Sequence, residues 1–234
     1  MGGGKQRLVL VPGSLCDDRV WRHQMEALGD IAEITVPSLH GHDSLVVMAE
    51  AVLADAPEGF ALAGFSMGGR VALEIVRLAP HRVQRLALLD SSIHPIAEGE
   101  AERRQPQIDM AREHGMEALA AWWNPRIAHA SRKEDAEFMG LLKDMACTFS
   151  PQDYEKEVRA LLTRPDPRDL LGGIGVPVLI LAGADDPLST PERNRAMAEA
   201  IPGATLVIVE GAGHFPMLEK PAKVSAALRV WLAA

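Results

Sequence analysis

The chain has only two cysteines among its 234 residues, Cys16 and Cys147. Standing far apart, they offer neither the paired framework that staples small secreted domains nor the ligand spacing of a zinc site, so both are expected as free thiols. Long apolar runs are missing too. The longest, such as residues 8–11 and 178–182, fall far short of the ~20 residues a membrane-spanning helix needs, and no membrane partner is expected. Excess positive charge is absent: 24 Lys and Arg face 32 Asp and Glu, for a net charge of −8. That balance, with arginines scattered among acids, disfavours nucleic acid and points to a small molecule as partner. The opening Met-Gly-Gly-Gly-Lys-Gln lacks the apolar stretch of a secretory signal, and Gln6 stands where a myristoylation motif needs Ser or Thr. The expected location is therefore the cytoplasm. Internal repeats and low-complexity tracts are also lacking.

What the sequence does contain is a rhythm. Six short, nearly continuous apolar runs at 7–12, 31–36, 60–65, 85–90, 176–182 and 204–210 have the pattern of strands buried on both faces of a parallel sheet. Amphipathic stretches at 19–28, 44–56, 67–79, 191–200 and 220–232 alternate with them. Such βαβα alternation implies an α/β fold with a doubly wound, mostly parallel sheet of about six core strands. The rhythm breaks once, after the fourth run. Met116, Leu119, Ala120 and Trp123 follow helical spacing, as do Phe138, Leu141, Leu142 and Met145, and no strand run intervenes. The expected organisation is a core of residues 1–92 and 172–234 interrupted by a helical insertion at 93–171.

Chemistry concentrates at the ends of the expected strands. Gly64-Phe65-Ser66-Met67-Gly68-Gly69 follows one strand and opens a helix. A sharp strand-to-helix turn strains the serine backbone and crowds the residues two before and two after it, which glycine alone tolerates. The Ser66 hydroxyl is then pushed out at the carboxyl end of the sheet, and the Met67 N–H points to where an oxyanion would form. Gly213-His214-Phe215-Pro216 follows the last strand, and Gly183-Ala184-Asp185-Asp186-Pro187 the one before it. A serine, an acid and a histidine in that order supply a nucleophile, an orienting carboxylate and a general base. Asp90, ending another strand, is a reserve position for the acid. Cys16 and Ser14 are weighed as alternative nucleophiles, but no base accompanies them. His40, His42 and Asp43 stand close enough to suggest a metal site, yet read better as loop structure, and no cofactor or metal is expected.

These segments, together with Leu10-Val11-Pro12-Gly13, resemble the α/β-hydrolase fold superfamily over nearly the whole chain. The resemblance implies that Asp186, three residues after Gly183, is the triad acid, with Asp185 left as a solvated or loop-capping carboxylate. Pro12-Gly13 stands where the family has His-Gly, and Trp21 lies nine residues after Pro12, as the family's tryptophan does after its histidine. By this alignment the Ser14 N–H, or failing it that of Leu15, joins Met67 in the oxyanion hole, and the insertion is the cap over the pocket. Leu15, Trp122, Trp123 and Phe215 are expected to line it.

The implied function is a serine hydrolase that cleaves a small carboxylic ester or lactone through an acyl-enzyme on Ser66, with His214 as base and Asp186 as its orienting partner. An apolar cap surface with Met110, Met116, Trp122, Trp123, Met139 and Met145 suits a short or medium acyl chain. The same triad also serves C–C and hydroxynitrile lyases, perhydrolases and acyltransferases, and a small-ligand-binding protein could keep it without turnover.

Overall fold

The computed structural model describes residues 4–234. Its first unit runs β1 (Gln6–Val11), α1 (Arg22–Leu28) and β2 (Ala32–Thr35). Then come α2 (Leu45–Asp55), β3 (Phe60–Phe65), α3 (Met67–Leu78) and β4 (Val83–Leu89). Four helices follow without a strand: α4 (Glu100–Ile127), α5 (Ala136–Ala146), α6 (Pro151–Leu162) and α7 (Arg168–Leu171). The chain closes with β5 (Val178–Gly183), α8 (Pro191–Ala200), β6 (Thr205–Val209), α9 (Pro216–Glu219) and α10 (Pro221–Ala233).

The sheet has six strands in the order β2-β1-β3-β4-β5-β6, and every neighbouring pair is parallel. Alternation of side chains explains why the runs read as continuously apolar. Along β1, Leu8 and Leu10 enter one core layer while Val9 and Val11 enter the other, and β3 divides Ala61, Ala63 and Phe65 from Phe60 and Leu62 in the same way. Helices α1 and α10 cover the first face, and α2, α3 and α8 the second. Where both faces are buried, as along all of β3 and β5, each strand position carries an apolar side chain or glycine, while polar residues enter at strand starts and on the edge strand β2.

The order of connection reverses between β1 and β3, so the loops leaving their carboxyl ends diverge and open a crevice, the usual ligand position in such sheets. Ser66 follows β3 and the Pro12–Leu15 turn follows β1.

Two expected helices differ in detail. Residues 18–21 form a tight 3-10 turn capped by the Asp17 carboxylate before α1 begins at Arg22. The long α4 is bent at Gly115, whose φ of 83° and ψ of 171° belong to a region open essentially to glycine. That break is why the apolar spacing restarts at Met116. Ile108, Ala111, Met116, Leu119 and Ala120 then pack with Phe149, Tyr154, Val158 and Leu15 in a third cluster over the sheet's carboxyl edge.

Candidate active site

The turn between β3 and α3 is as tight as its glycines require. Ser66 has φ 53° and ψ −116°, strained for any L-residue. Its backbone is held at both ends: its N–H donates to the Leu89 carbonyl at 2.9 Å, and its carbonyl accepts from Ser91 Oγ at 2.9 Å and Gly69 N at 3.1 Å. A Cβ at position 64 would lie 2.3 Å from the Gly68 carbonyl oxygen, and one at position 68 would lie 2.4 Å from that of Pro12. No side chain fits at either place.

Within this frame Ser66 Oγ lies 3.0 Å from His214 Nε2, and His214 Nδ1 lies 2.8 Å from Asp186 Oδ2. His214 and Asp186 are both buried. The histidine's own N–H donates to the Ile127 carbonyl at 2.9 Å, fixing its loop to the end of α4. Asp186 Oδ1 accepts the Leu188 N–H at 2.8 Å. Burial by itself would raise the Asp186 carboxyl, but the charge of His214, the hydrogen bonds from His214 and Asp90, and the Leu188 N–H together hold it below the ordinary carboxylate value. A hydroxyl, an imidazole and an ionised acid thus stand in line.

Asp90 lies against this relay and does not replace any part of it. Its Oδ1 accepts the Gly183 N–H at 2.8 Å, and burial, then the neighbouring Asp186 charge, push its carboxyl well above the usual range. The protonated form so favoured can donate to Asp186. Asp185, one residue before Asp186, points away, with 58% of its side chain exposed and His129 Nε2 3.5 Å away.

Opposite the relay is the turn after β1. Among the described residues the N–H groups of Ser14 and Met67 have no hydrogen-bond acceptor, Met67 being the first residue of α3. The Leu15 N–H is not free: it donates to Glu157 Oε2 at 3.0 Å, and Ser14 Oγ donates to the same oxygen. This removes Leu15 as the fallback donor. It also supplies Ser14 with a carboxylate neighbour that the sequence did not suggest, because Glu157 comes from α6, more than a hundred residues further on. Burial raises Glu157 to about 7, against the lowering effect of these two hydrogen bonds. Gly13 permits the close approach, since a Cβ there would lie 2.8 Å from the Phe65 ring and 3.2 Å from Ser66 Cβ.

A model of the alpha/beta hydrolase family matches residues 8–227. The chain belongs to the alpha/beta hydrolase family. Among curated relatives, it is 27% identical to the pimeloyl-[acyl-carrier protein] methyl ester esterase of Nitrosomonas europaea, over 94% of this chain and 92% of that protein. Among solved structures, a thermophilic esterase from Thermogutta terrifontis superposes with a TM-score of 0.89 and 28% identity, covering 99% of this chain and 90% of the other. The enol-lactonase of Burkholderia xenovorans LB400 also gives a TM-score of 0.89, at 25% identity, with 99% and 93% covered.

In this hydrolase-family enzyme, Ser66 and His214 open onto a cavity of about 310 Å³ beneath the inserted helices. Leu15, Trp123 and Phe215 line it with Met145, but Trp122, Met110, Met116 and Met139 do not. Adjacent helical positions point about 100° apart, so only one of the two tryptophans can face inward. Trp122 instead stacks on Trp123 at 5.9 Å, with the Arg126 guanidinium 4.2 Å from its ring centroid. The lining is also less apolar than the sequence suggested, since Arg70, Glu100, Arg103, Arg104 and Gln107 share it.

Cys16 is buried beside the cavity, and burial raises its thiol far from the reactive thiolate form. The histidine-rich loop carries structure: His40 stacks on Phe149 with ring centroids 3.9 Å apart, and Asp43 pairs with Arg159 at 3.4 Å. Besides Glu157, sequence reading missed Glu219, a buried carboxylate that accepts the N–H groups of Gly213 and, at 2.7 Å, His129. It ties the His214 loop to the segment after α4. Nothing in the local sequence marks either glutamate; each becomes visible only when distant loops meet. Among the described residues no helix is long and apolar enough to cross a membrane.

Proposed function

We propose that this enzyme hydrolyses a small carboxylic ester or lactone through an acyl-enzyme on Ser66. His214 Nε2 takes the Ser66 proton as Oγ attacks the acyl carbonyl, and Asp186 holds the imidazole in the required orientation and balances the charge it gains. The N–H groups of Ser14 and Met67 receive the developing oxyanion. His214 then passes the proton to the departing alkoxide, and in a second half-reaction it activates a water that releases the acid and restores Ser66. Residues 93–171 serve as the cap over residues 1–92 and 172–234.

The observation that carries this reading is the 3.0 Å and 2.8 Å alignment of Ser66, His214 and Asp186 beside two N–H groups left without an acceptor. The esterases and the enol-lactonase among its relatives support the choice of ester and lactone chemistry. Steady-state hydrolysis of p-nitrophenyl esters from acetate to decanoate tests it, with wild type and Ser66→Ala measured together. Turnover by the wild type that falls about 10³-fold or more in the variant is expected. Equal rates in the two proteins would remove Ser66 from the mechanism.

A further inference from the structure

The lining of the Ser66 cavity carries three arginines, Arg70, Arg103 and Arg104, but a single carboxylate, Glu100. Glu100 is already matched. Its oxygens accept from Arg164 at 2.7 Å and 2.8 Å and from Arg104 at 3.0 Å and 3.2 Å, and Arg164 stands behind the lining. Arg70 has no such partner among the described residues. Its hydrogen bonds run from Nη2 to Ser92 Oγ at 3.3 Å and to the His94 carbonyl at 3.2 Å, long for a charged donor. Burial, then the like charge of Arg164, pull its guanidinium down to about 9. It therefore remains a cation near neutral pH, with an environment that would favour an added negative charge.

The position of this cation relates it to the reacting atoms. Arg70 stands in the first turn of α3, the helix that Ser66 precedes, and both residues line the same cavity. A second group points to a ligand independently. Asn124 on α4 lines the same cavity, is only 6% exposed, and has no acceptor for its Nδ2. Buried donors without partners are uncommon in folded proteins. Arg164 is matched by Glu100 and Arg77 by Asp169, and Arg82, away from the cavity, is spent on three backbone carbonyls; Arg70 lines the cavity itself with no carboxylate against it among the described residues.

We propose that the cavity takes an ester or lactone carrying a free carboxylate, with the Arg70 guanidinium as the carboxylate's partner and Asn124 as donor to a second polar group of the same substrate. This rests on the reading of Ser66 as nucleophile. A planar carboxylate matches the guanidinium fork, accepting two parallel N–H bonds where a neutral amide accepts one and meets no opposite charge. The carboxylate can belong to the acyl or the alcohol portion of the ester.

The test reads binding without turnover. Calorimetry on Ser66→Ala compares monomethyl glutarate with its terminal amide, for an acyl-side carboxylate, and O-acetylglycolate with its amide, for an alcohol-side one. At least one carboxylate is expected to bind about tenfold or more tightly than its amide, a margin that vanishes when Arg70→Gln is added and partly returns with Arg70→Lys. If neither carboxylate outperforms its amide, or the margin survives Arg70→Gln, the proposal fails. The first comparison needs no arginine variant and can overturn the proposal by itself, and if Arg70→Gln does not fold, Arg70→Lys tests the residue: a margin unchanged from Arg70 would assign the carboxylate to another cation. Loss of carboxylate preference with p-nitrophenyl ester hydrolysis intact would sink this inference alone; loss of Ser66-dependent hydrolysis would sink the reading beneath it.

Discussion

Glu157 and Leu15, joined by a 3.0 Å hydrogen bond from the Leu15 N–H to Glu157 Oε2, couple the inserted helices to the turn beside Ser66. Leu15 adopts a φ of 56°, a costly conformation for a leucine, and the carboxylate occupies its N–H, while the N–H of the neighbouring cavity-lining Ser14 has no acceptor among the described residues. Truncation as Glu157→Ala leaves the Leu15 N–H and the Ser14 hydroxyl unsatisfied. The expected result is a fall in kcat of about tenfold or more with a smaller change in KM, and recovery in Glu157→Gln, whose amide can serve both groups. Equal kcat in wild type and Glu157→Ala would detach this contact from catalysis.

The same carboxyl predicts a pH dependence of stability. Its folded-state value of about 7 lies above the ordinary 4.5, so the folded chain holds the proton more tightly than the unfolded chain. The associated stability is full below the ordinary value and declines as pH rises toward about 7. Thermal melts of Glu157→Gln and wild type should therefore converge at about pH 4 and separate in favour of the variant at about pH 8. A separation of opposite sign would mean that the ionised carboxylate stabilises its pocket.

Asp186 and Asp90 are both buried carboxyls near His214, yet their expected roles separate by substitution. Asp186→Asn leaves the shape and removes the charge that orients the imidazole, and kcat is expected to fall by about 10⁴-fold. Burial and the Asp186 charge favour the protonated Asp90 carboxyl, and Asp90→Asn puts an amide donor in its place while keeping an acceptor for the Gly183 N–H, so activity is expected to remain within about threefold of wild type. Because the Asp90 carboxyl is raised in the folded state, its contribution to stability fades as pH climbs above its ordinary value, and Asp90→Asn is expected to gain on wild type in alkaline melts. Reversed kinetic outcomes for the two variants would exchange their roles.

Much of this site was legible in the sequence because its parts are local. A glycine two before and two after Ser66, a Gly-x-x-Asp turn and a Gly-His loop each follow a strand, and parallel strands deliver their carboxyl ends to one edge. The central runs were legible because two buried faces demand apolar residues along most of their length, as in β3 and β5. Glu157, Glu219 and Arg70 were not legible. Glu157 and Arg70 sit on amphipathic helices, where charge ordinarily means solvent, and Glu219 ends the four-residue, wholly buried α9; only contacts between segments distant in the chain show where these side chains go. Trp122 failed for a related reason, since helical spacing places two adjacent tryptophans on different faces without saying which face meets the cavity.

Glu219 offers a separate test of the His214 loop. Its carboxylate accepts the Gly213 N–H and the His129 N–H, and a Gln at 219 retains one oxygen but places an amide donor against an N–H. Glu219→Gln is expected to lower both the melting temperature and kcat, with kcat falling about tenfold as His214 loses its anchored position. A variant that melts early but keeps full kcat would show that the loop positions His214 without this carboxylate.

Two glycine substitutions carry opposite expected signs, and the first probes how closely β5 approaches the His214 loop. A Cβ on Gly183 would lie 2.0 Å from the Gly213 carbonyl oxygen and 2.5 Å from that of Ala212. Backbone cannot swing aside as a flexible side chain can, so Gly183→Ala must separate β5, which leads into the turn carrying Asp186, from the loop carrying His214. The expected outcome is a lower melting temperature with loss of most activity, since misplacement of about 1 Å costs about 10²-fold in rate. Gly140, inside α5, has nothing within 4 Å of its added Cβ, and Gly140→Ala is expected to stabilise the protein by about 0.5–1 kcal/mol through helix propensity and reduced freedom of the unfolded chain. Full activity in Gly183→Ala would contradict this close packing, because in the present backbone the methyl group would overlap the carbonyls of Ala212 and Gly213, the two residues that precede His214.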